Sequence, residues 1–450
     1  MYNCIQSYIR GIFVRNRSET EIEMKALRSM SKQELEQFHA ELCKQFEDAK
    51  GKGLKLDMSR GKPTPAQLDM GMPMMDVLTS ESDMICENGM DCRNYGVLDG
   101  IAEARRLMGD MLDVPAENII LGGSASLTLM YDTVARSMLH GVNGSTPWCR
   151  LDKVKFLCPV PGYDRHFKIT ESFGIEMINI PMTESGPDMD LVEQYVNHDP
   201  AVKGIWCTPK YSNPQGISYS DETVRRFAAL NPAAEDFRIY WDNAYCVHHL
   251  YEDDQDEILE ILSECAACGH PNMVFEFAST SKISFAGSGI SCVASSVENL
   301  NWFRKTMTVQ MISHDKINQL RHARYFKDKA GILAQMKRHA DLMRPKFEAV
   351  LSVFEEELSD LQIAEWTKPK GGYFISFEAM EGCAKAIVAK CKEAGVVLTD
   401  AGAPFPYGRD PKDSNIRIAP SYPTPDEMKA AAEVFVLCVK LCSAERLLRG

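Results

Sequence analysis

The residues best suited to chemistry follow short apolar runs in the middle of the chain. Asp242 ends the run DFRIYWD and is followed by Asn243, Ala244 and Tyr245, and Lys282 stands among hydroxyl residues just after NMVFEFA. A carboxylate near a ligand can hold a proton, and a desolvated lysine amine attacks carbonyl carbons. Asp242 as a helix N-cap and Lys282 as a solvated surface charge are the structural alternatives.

Three other apolar runs end in turns of similar interest. NIILGG leads into Ser124 and Ala125, a Gly-Gly-Ser turn at a helix start that could bind an anion such as phosphate. KVKFLCP leads into Tyr163 and His166, where the aromatic ring could stack on a flat ligand. VKGIWCT leads into Asn213, which is either a turn residue or a donor to a ligand oxygen. The Gly-Gly-Ser turn lacks the Gly-x-Gly-x-x-Gly spacing, so a dinucleotide site has no support.

The elements that must position these residues form an α/β pattern. These five runs, with GIEMINI and GISCVAS, are short and nearly all apolar, as parallel strands buried on both faces are, and helical stretches separate them. We therefore predict a large domain over 75–344, with a mostly parallel seven-stranded sheet and an interdomain helix. A smaller α+β domain is predicted from 31–74 and 345–450. Residues 1–30 are expected to be a poorly ordered extension, with a mitochondrial transit peptide as the alternative.

Composition excludes several classes of function. The 450 residues carry 50 Lys and Arg against 63 Asp and Glu, and a net charge of -13 disfavours nucleic-acid binding. No apolar stretch reaches the ~18 residues of a membrane span. Fifteen scattered cysteines fit reduced thiols in a cytoplasmic protein. Cys265 and Cys268, with His270 nearby, fall short of the four ligands of a zinc site, so no metal is expected.

Taken together, the turns match the needs of pyridoxal 5′-phosphate (PLP). They supply a turn that could bind the phosphate, an aromatic ring that could stack on the cofactor ring and a donor to the hydroxyl group of that ring. They also supply a carboxylate and an amine, and each of these groups follows a different strand. Ligands of open α/β sheets bind at these strand ends. The cofactor aldehyde forms a Schiff base with a lysine, and a carboxylate beside the ring nitrogen keeps that nitrogen protonated.

The chain resembles the fold-type I PLP-dependent aminotransferases, most closely a divergent bacterial subgroup of aspartate aminotransferases. The resemblance runs from about residue 31 to the C-terminus. It is carried by NYGVLDGIAEAR, PGYDRH, the Ser-Asn-Pro-Gln-Gly turn, the Asp-Asn-Ala-Tyr turn, the Ser-Thr-Ser-Lys segment and NIRIAPS.

The resemblance implies a role for each matching residue. Lys282 would be the Schiff-base lysine and general base, Asp242 would pair with the ring nitrogen with support from His166, and Asn213 and Tyr245 would donate to the ring hydroxyl oxygen. The other implied cofactor contacts are Gly123, Ser124, Ala125, Ser279 and Ser281, with Tyr163 on the ring and Tyr95 from the neighbouring subunit. The implied substrate contacts are Gly61, Asn213 and Arg417, the last at the α-carboxylate.

One position separates this chain from the best-known aspartate enzymes. The family usually places a phosphate-binding arginine eight residues after the lysine, where this chain has Ile290. The cation for a distal substrate carboxylate is not on a recognisable motif. Its candidates are Arg60, Lys62, Arg321, His322 and Arg324, with the loop at residues 59–62 preferred.

The implied function is transfer of an amino group between an amino acid and a 2-oxo acid. L-Aspartate and 2-oxoglutarate, giving oxaloacetate and L-glutamate, are the expected substrates. A PLP-dependent lyase or an aminotransferase with another amino donor is the alternative, and a PLP-binding regulator domain is a minor one, because it would need an attached DNA-binding domain. The expected assembly is a homodimer with shared active sites, in the cytoplasm.

Overall fold

The structure is a computed structural model that describes residues 26–449. Residues 1–25 of the expected N-terminal extension therefore lie outside the described residues. Its last part is ordered, because Leu27–Ser29 forms a 3-10 helix. The backbone amide of Leu27 donates to the carbonyl oxygen of Leu361 at 3.1 Å, and the Leu27 side chain is buried. Residues 26–30 of the expected extension are thus part of the described fold.

An eight-stranded mixed sheet forms the centre of the molecule. Its strands are β2 (Ile119–Leu121), β3 (Lys155–Val160), β4 (Glu176–Thr183), β5 (Gly186–Pro187), β6 (Val202–Cys207), β7 (Arg238–Asp242), β8 (Val274–Ser279) and β9 (Ser291–Ala294). They lie in the order β2-β9-β8-β7-β6-β3-β4-β5. The block from β8 to β4 is parallel, and the outer strands pair antiparallel. All seven predicted runs are strands, and the two-residue edge strand β5 adds an eighth.

Burial explains why these runs are strands. Every residue of β6 and β7 is buried, because helices cover both faces of the sheet. One face packs around Phe156, Trp206 and Tyr240, and the other around Ile205 and Trp241. Successive residues of one strand therefore enter different cores.

Helices connect the strands and cover the sheet. The described chain contains α1 (Lys32–Gly51), α2 (Pro65–Asp69), α3 (Ala102–Leu112), α4 (Ser126–His140), α5 (Asp164–Ser172), α6 (Met189–His198), α7 (Asp221–Ala228), α8 (Ile261–Ala267), α9 (Val297–Gln310), α10 (Lys316–Phe326), α11 (Lys329–Leu358), α12 (Ala384–Glu393) and α13 (Pro425–Arg449). A capping box formed by Ser31 and Glu34 starts α1. Further 3-10 helices are Met72–Asp76, Ala116–Asn118, Trp148–Arg150 and Pro406–Gly408.

The C-terminal part has its own small sheets. Strands β10 (Ala364–Trp366), β11 (Ile375–Ala379) and β13 (Asn415–Ile418) form an antiparallel sheet, and β1 (Leu56–Asp57) pairs in parallel with β12 (Val396–Val397). Helices α1, α11 and α13 contribute Leu42, Phe347 and Phe435 to one core with these strands.

Helix α11 links this core to the sheet. Its N-terminal residues Ile332 and Met336 pack in the core beside β2 and β9, and Phe347 packs in the C-terminal core. The proposed boundary between residues 344 and 345 falls within this helix, which continues through Pro345. The division into two domains stays a prediction. Within residues 26–449, no helix is long and apolar enough to cross a membrane.

Candidate active site

The turn after β2 forms a cup at the start of α4. Ala125 precedes α4 and makes no side-chain cap, so the first amides of the helix stay available to a ligand. Ser281 Oγ donates to the carbonyl oxygen of Ser124 at 2.6 Å, and Ser279 Oγ donates to Ser281 Oγ at 3.3 Å. Ser291 Oγ donates to the carbonyl oxygen of Gly123 at 2.9 Å. The structure thus joins the predicted phosphate residues after β2 to those after β8.

Asp242 and His166 form a buried pair at the end of β7. His166 Nε2 lies 2.9 Å from Asp242 Oδ2, and both side chains are buried. The His166 ring stacks on Trp206 with ring centroids 4.5 Å apart, and Tyr163 contacts it edge-on at 4.9 Å. Asp242 Oδ1 is also buried but has no partner within the described chain. One carboxylate oxygen therefore remains available for a donor that a ligand would bring.

Lys282 lies close to this pair. Its Nζ is 5.0 Å from the centre of the Tyr245 ring. Burial lowers the pKa of the Lys282 amine, and the nearby Asp242 carboxylate acts in the opposite direction. Burial also raises the pKa of Tyr245 well above its usual range, so its hydroxyl stays a donor at neutral pH. The group combines a lysine that loses its proton more easily than usual with a neutral phenol.

Arg417 enters the site from β13. Its Nη1 donates to Asp164 Oδ1 at 2.8 Å and to Asn213 Oδ1 at 3.3 Å, and Nη2 donates to Thr399 Oγ1 at 3.4 Å. The guanidinium carbon lies 5.0 Å above the centre of the Phe374 ring. Arg417 Nε is buried without a partner in the described residues. The guanidinium is fixed in place and still has a donor for a ligand carboxylate.

Gly61 packs against the same aromatic ring. A Cβ at Gly61 would lie 2.6 Å from Phe374 Cζ and 3.1 Å from Tyr373 Cβ, so no larger residue fits without a shift. The loop of residues 59–62 therefore approaches the Arg417 region through backbone rather than through a side chain at residue 61.

Ile290 does not take part in the cup. Its side chain is buried in the core beside β2 and β9, and its amide donates to Thr280 Oγ1 at 2.9 Å. His314 is near the cup instead, because a Cβ on Gly123 would lie 3.8 Å from His314 Nδ1. Burial lowers the pKa of His314, which favours the neutral imidazole. A neutral imidazole thus lies near the cup, to which Ile290 contributes no charge.

The structure narrows the candidates for a distal cation. His322 hydrogen-bonds Ser284 Oγ and the Asn318 carbonyl, and burial lowers its pKa to about 4, so it is uncharged at neutral pH. Arg324 donates to backbone carbonyls of residues 83 and 85. Arg321 bonds Ser288 Oγ at 2.9 Å, in the loop after Lys282, and its Nε is buried without a described partner.

The preferred loop presents two cations. Both Arg60 and Lys62 are exposed, and Lys62 Nζ lies 4.1 Å above the Tyr422 ring. The loop is held by bonds to its backbone, from Thr399 Oγ1 to the Ser59 carbonyl at 2.7 Å and from Ser421 Oγ to the Arg60 carbonyl at 3.2 Å. Both cations remain candidates for a distal carboxylate.

Tyr95 differs from the other predicted residues because its side chain is 76% exposed. The contacts above join the remaining predicted residues into one neighbourhood within a single chain. Sequence reasoning missed Asp164, Thr399, Phe374 and His314 as members of this neighbourhood. Asp164 lies in the PGYDRH turn and Phe374 in GGYFISFE. Neither motif indicates a contact with Arg417, which is distant from both in sequence.

The fold is that of the fold-type I PLP-dependent transferases. Residues 30–450 match the family model described as aspartate amino-transferase. The chain belongs to this family and is an aminotransferase.

Close relatives and a solved structure agree with this assignment. The chain is 45% identical to a putative aminotransferase of Mycolicibacterium smegmatis over 94% of its own length and 99% of the relative. It is 44% identical to an aspartate aminotransferase of Corynebacterium glutamicum over 91% and 94% of the two lengths. The crystal structure of an aspartate transaminase from C. glutamicum, 43% identical, superposes with a TM-score of 0.91 and covers 94% of this chain and 99% of that one.

The Asp242–His166 pair generates a prediction that needs no cofactor. In the apoprotein, His166→Phe leaves both Asp242 oxygens buried without a partner, which costs roughly 1–3 kcal/mol. We expect a lower urea midpoint for His166→Phe, and a smaller loss when the same change is made in an Asp242→Asn background. Equal losses in the two backgrounds would show that the pair is not coupled.

Proposed function

We propose that this chain binds PLP at the ends of β2, β7 and β8. Support comes from the fit of its residues: the open start of α4 with Ser124 suits a phosphate, and the unpartnered Asp242 Oδ1 suits a protonated ring nitrogen. Tyr163, Asn213 and Tyr245 would contact the ring. The neutral His314 and the serine hydroxyls would take the place of the phosphate-binding arginine.

Lys282 would hold the cofactor and move the proton. When bound, PLP supplies an electrophilic aldehyde and a ring that withdraws electrons from the substrate Cα. The Lys282 amine, with its pKa lowered by burial, would take the proton from the substrate Cα and deliver it to C4′ of the cofactor. Asp242, held by His166, would keep a proton at the ring nitrogen.

We propose L-aspartate and 2-oxoglutarate as the substrates. The observation that carries an amino acid and 2-oxo acid substrate is Arg417, which is fixed by Asp164, Asn213 and Thr399 and whose buried Nε donor has no partner in the described chain. A planar guanidinium binds a carboxylate through two parallel bonds. A second carboxylate would be read by the loop of residues 59–62, with Arg321 as the other candidate. The 44% identity to an aspartate aminotransferase supports this choice.

We also propose a homodimer with shared sites. Tyr95 is highly exposed in the single chain, and Met72, Met75 and Ile85 in the same stretch of sequence are exposed as well. Exposed apolar side chains of this kind commonly mark an interface. Tyr95 would donate its hydroxyl to the phosphate bound by the partner subunit.

The first test of this function concerns Lys282. Borohydride should fix the cofactor to the Lys282 peptide of the wild-type holoenzyme, and Lys282→Ala should lose this label while keeping some noncovalent cofactor. Peptide mass spectrometry gives the position of the label. Lys203→Met, which removes another buried lysine, is the matched control and should label normally. A label on any other lysine would show that the site is misassigned.

The second test concerns assembly. Tyr95→Phe should release PLP faster during dialysis, because the partner's phosphate loses one donor, while the subunits stay dimeric. Tyr131→Phe removes the hydroxyl of another exposed tyrosine and should leave cofactor retention unchanged. Sedimentation that shows an active monomer at assay concentration would overturn the shared site.

The third test concerns the substrates. Arg417→Lys loses the planar guanidinium, so kcat/KM for aspartate should fall about 30-fold, which corresponds to a loss of roughly 2 kcal/mol in transition-state stabilisation. Arg60→Ala or Lys62→Ala should lower kcat/KM for aspartate more than for alanine, because alanine lacks the distal carboxylate. If both leave the aspartate-to-alanine ratio unchanged while Arg321→Gln lowers it, the loop is not the selector. Faster turnover of alanine than of aspartate by wild type would contradict a dicarboxylate substrate.

A further inference from the structure

A second cavity lies behind the active site, on the other face of the sheet. Its volume is about 300 Å³, near the lower end for a small-molecule site and large compared with one water molecule. Strands β7 and β8 contribute Trp241 and Glu276, which are directly paired in register. Asp242, the next residue of β7, points to the opposite face because strand side chains alternate. None of the proposed cofactor or substrate residues lines this cavity.

The inner wall holds two hydrogen-bond acceptors without partners. Glu276 is 2% exposed and Asn243 is 7% exposed. Asn243 Nδ2 donates to Glu276 Oε1 at 2.8 Å, but Glu276 Oε2 and Asn243 Oδ1 have no partner in the described chain. Burial raises the pKa of Glu276 to about 8, as expected for a carboxyl group without a counter-ion. Buried polar atoms normally have partners, and with this pKa the Glu276 carboxyl group stays protonated at neutral pH unless a cation binds beside it.

The same cavity contains a buried cation, Lys210, whose charged form is favoured by the nearby carboxylates of Asp256 and Glu257. Lys210 is 8% exposed, and its Nζ donates to the carbonyl oxygen of Cys246 at 2.9 Å. Within residues 26–449 it forms no ion pair, and burial lowers the pKa of its amine. An ammonium group can make three hydrogen bonds, so Lys210 retains donors for a ligand oxygen.

The other charged groups around the cavity are already paired or lie at its rim. Asp113 and Lys329 form an ion pair at 2.5 Å. Glu260 accepts from the amides of Leu262 and Ser263 at the start of α8. Glu257 is exposed at the rim. Glu276 and Lys210 are therefore the buried ionisable groups of the cavity, and an ammonium group bound beside Glu276 would shift its carboxyl group to the charged form.

We infer that this cavity binds a free α-amino acid in its zwitterionic form. The ammonium group would donate to Glu276 Oε2 and Asn243 Oδ1, and the carboxylate would accept from Lys210. A ligand with both charges satisfies the two ends at once, whereas a simple cation or anion would leave one end buried and uncompensated. Asn243 adjoins Asp242 and Lys210 lies three residues before Asn213, so the occupant would contact residues next to the catalytic ones.

The test measures binding with the active site blocked. Arg417→Ala protein, loaded with PLP and reduced with borohydride, is titrated by calorimetry with L-alanine, ethylamine and propionate. Ethylamine is alanine without the carboxylate, and propionate is alanine without the amine. We expect one alanine site per chain, with alanine binding at least about tenfold more tightly than either single-charge probe, a difference of about 1.4 kcal/mol.

Substitutions then locate the site. In the same background, Glu276→Gln and Lys210→Met should each weaken alanine binding by about tenfold or more, the effect of losing one charge-assisted bond. Both replacements are close in size to the original side chains. Gln255→Ala, at the exposed rim of the cavity, changes no charge and is the control that should bind alanine normally. Absence of alanine binding, equal binding of ethylamine or propionate, or unchanged binding in both inner-wall variants would overturn the proposal.

Discussion

The site is built around one buried carboxylate that is only half satisfied. Asp242 has His166 on one oxygen and no partner for the other within the described chain. An unpartnered charge-bearing atom is costly inside a protein core, so the surrounding structure must hold it in place until a ligand supplies the second donor. The stack of His166 on Trp206 and the buried strands β6 and β7 provide this support. These contacts fix the position of Asp242 although one of its oxygens has no partner in the described chain.

Parallel strand order explains how distant turns meet. In β7 and β8, parallel pairing places Asp242 opposite Phe277, a few residues before Lys282. Helix α4 begins beside the same edge, where Ser281 bonds the Ser124 carbonyl. This part could be predicted from sequence, because apolar runs mark the strands and the carboxyl ends of parallel strands share one edge of the sheet.

Contacts between side chains of separate segments could not be predicted in this way. The bonds of Arg417 to Asp164 and Thr399 depend on how β13 and the loop before residue 400 pack against the sheet, and no local pattern encodes that packing. Pro345 shows a related limit, since a proline usually interrupts a helix and yet α11 continues through it. Helix α11 packs against two cores on either side of Pro345, and such tertiary packing outweighs local preference.

The alternation of side chains along a strand also separates the two polar sites of the sheet. Asp242 and Phe277 face the side of the cofactor residues, and Trp241 and Glu276 face the cavity, so one residue step moves a side chain from one environment to the other. Glu276 lies within the apolar run NMVFEFA, which the sequence predicts as a strand without indicating a role for the glutamate. Asn243 links the two sides, because it follows Asp242 directly and binds Glu276. A change in the charge of Glu276 would therefore be transmitted first through Asn243 to the backbone that positions Asp242.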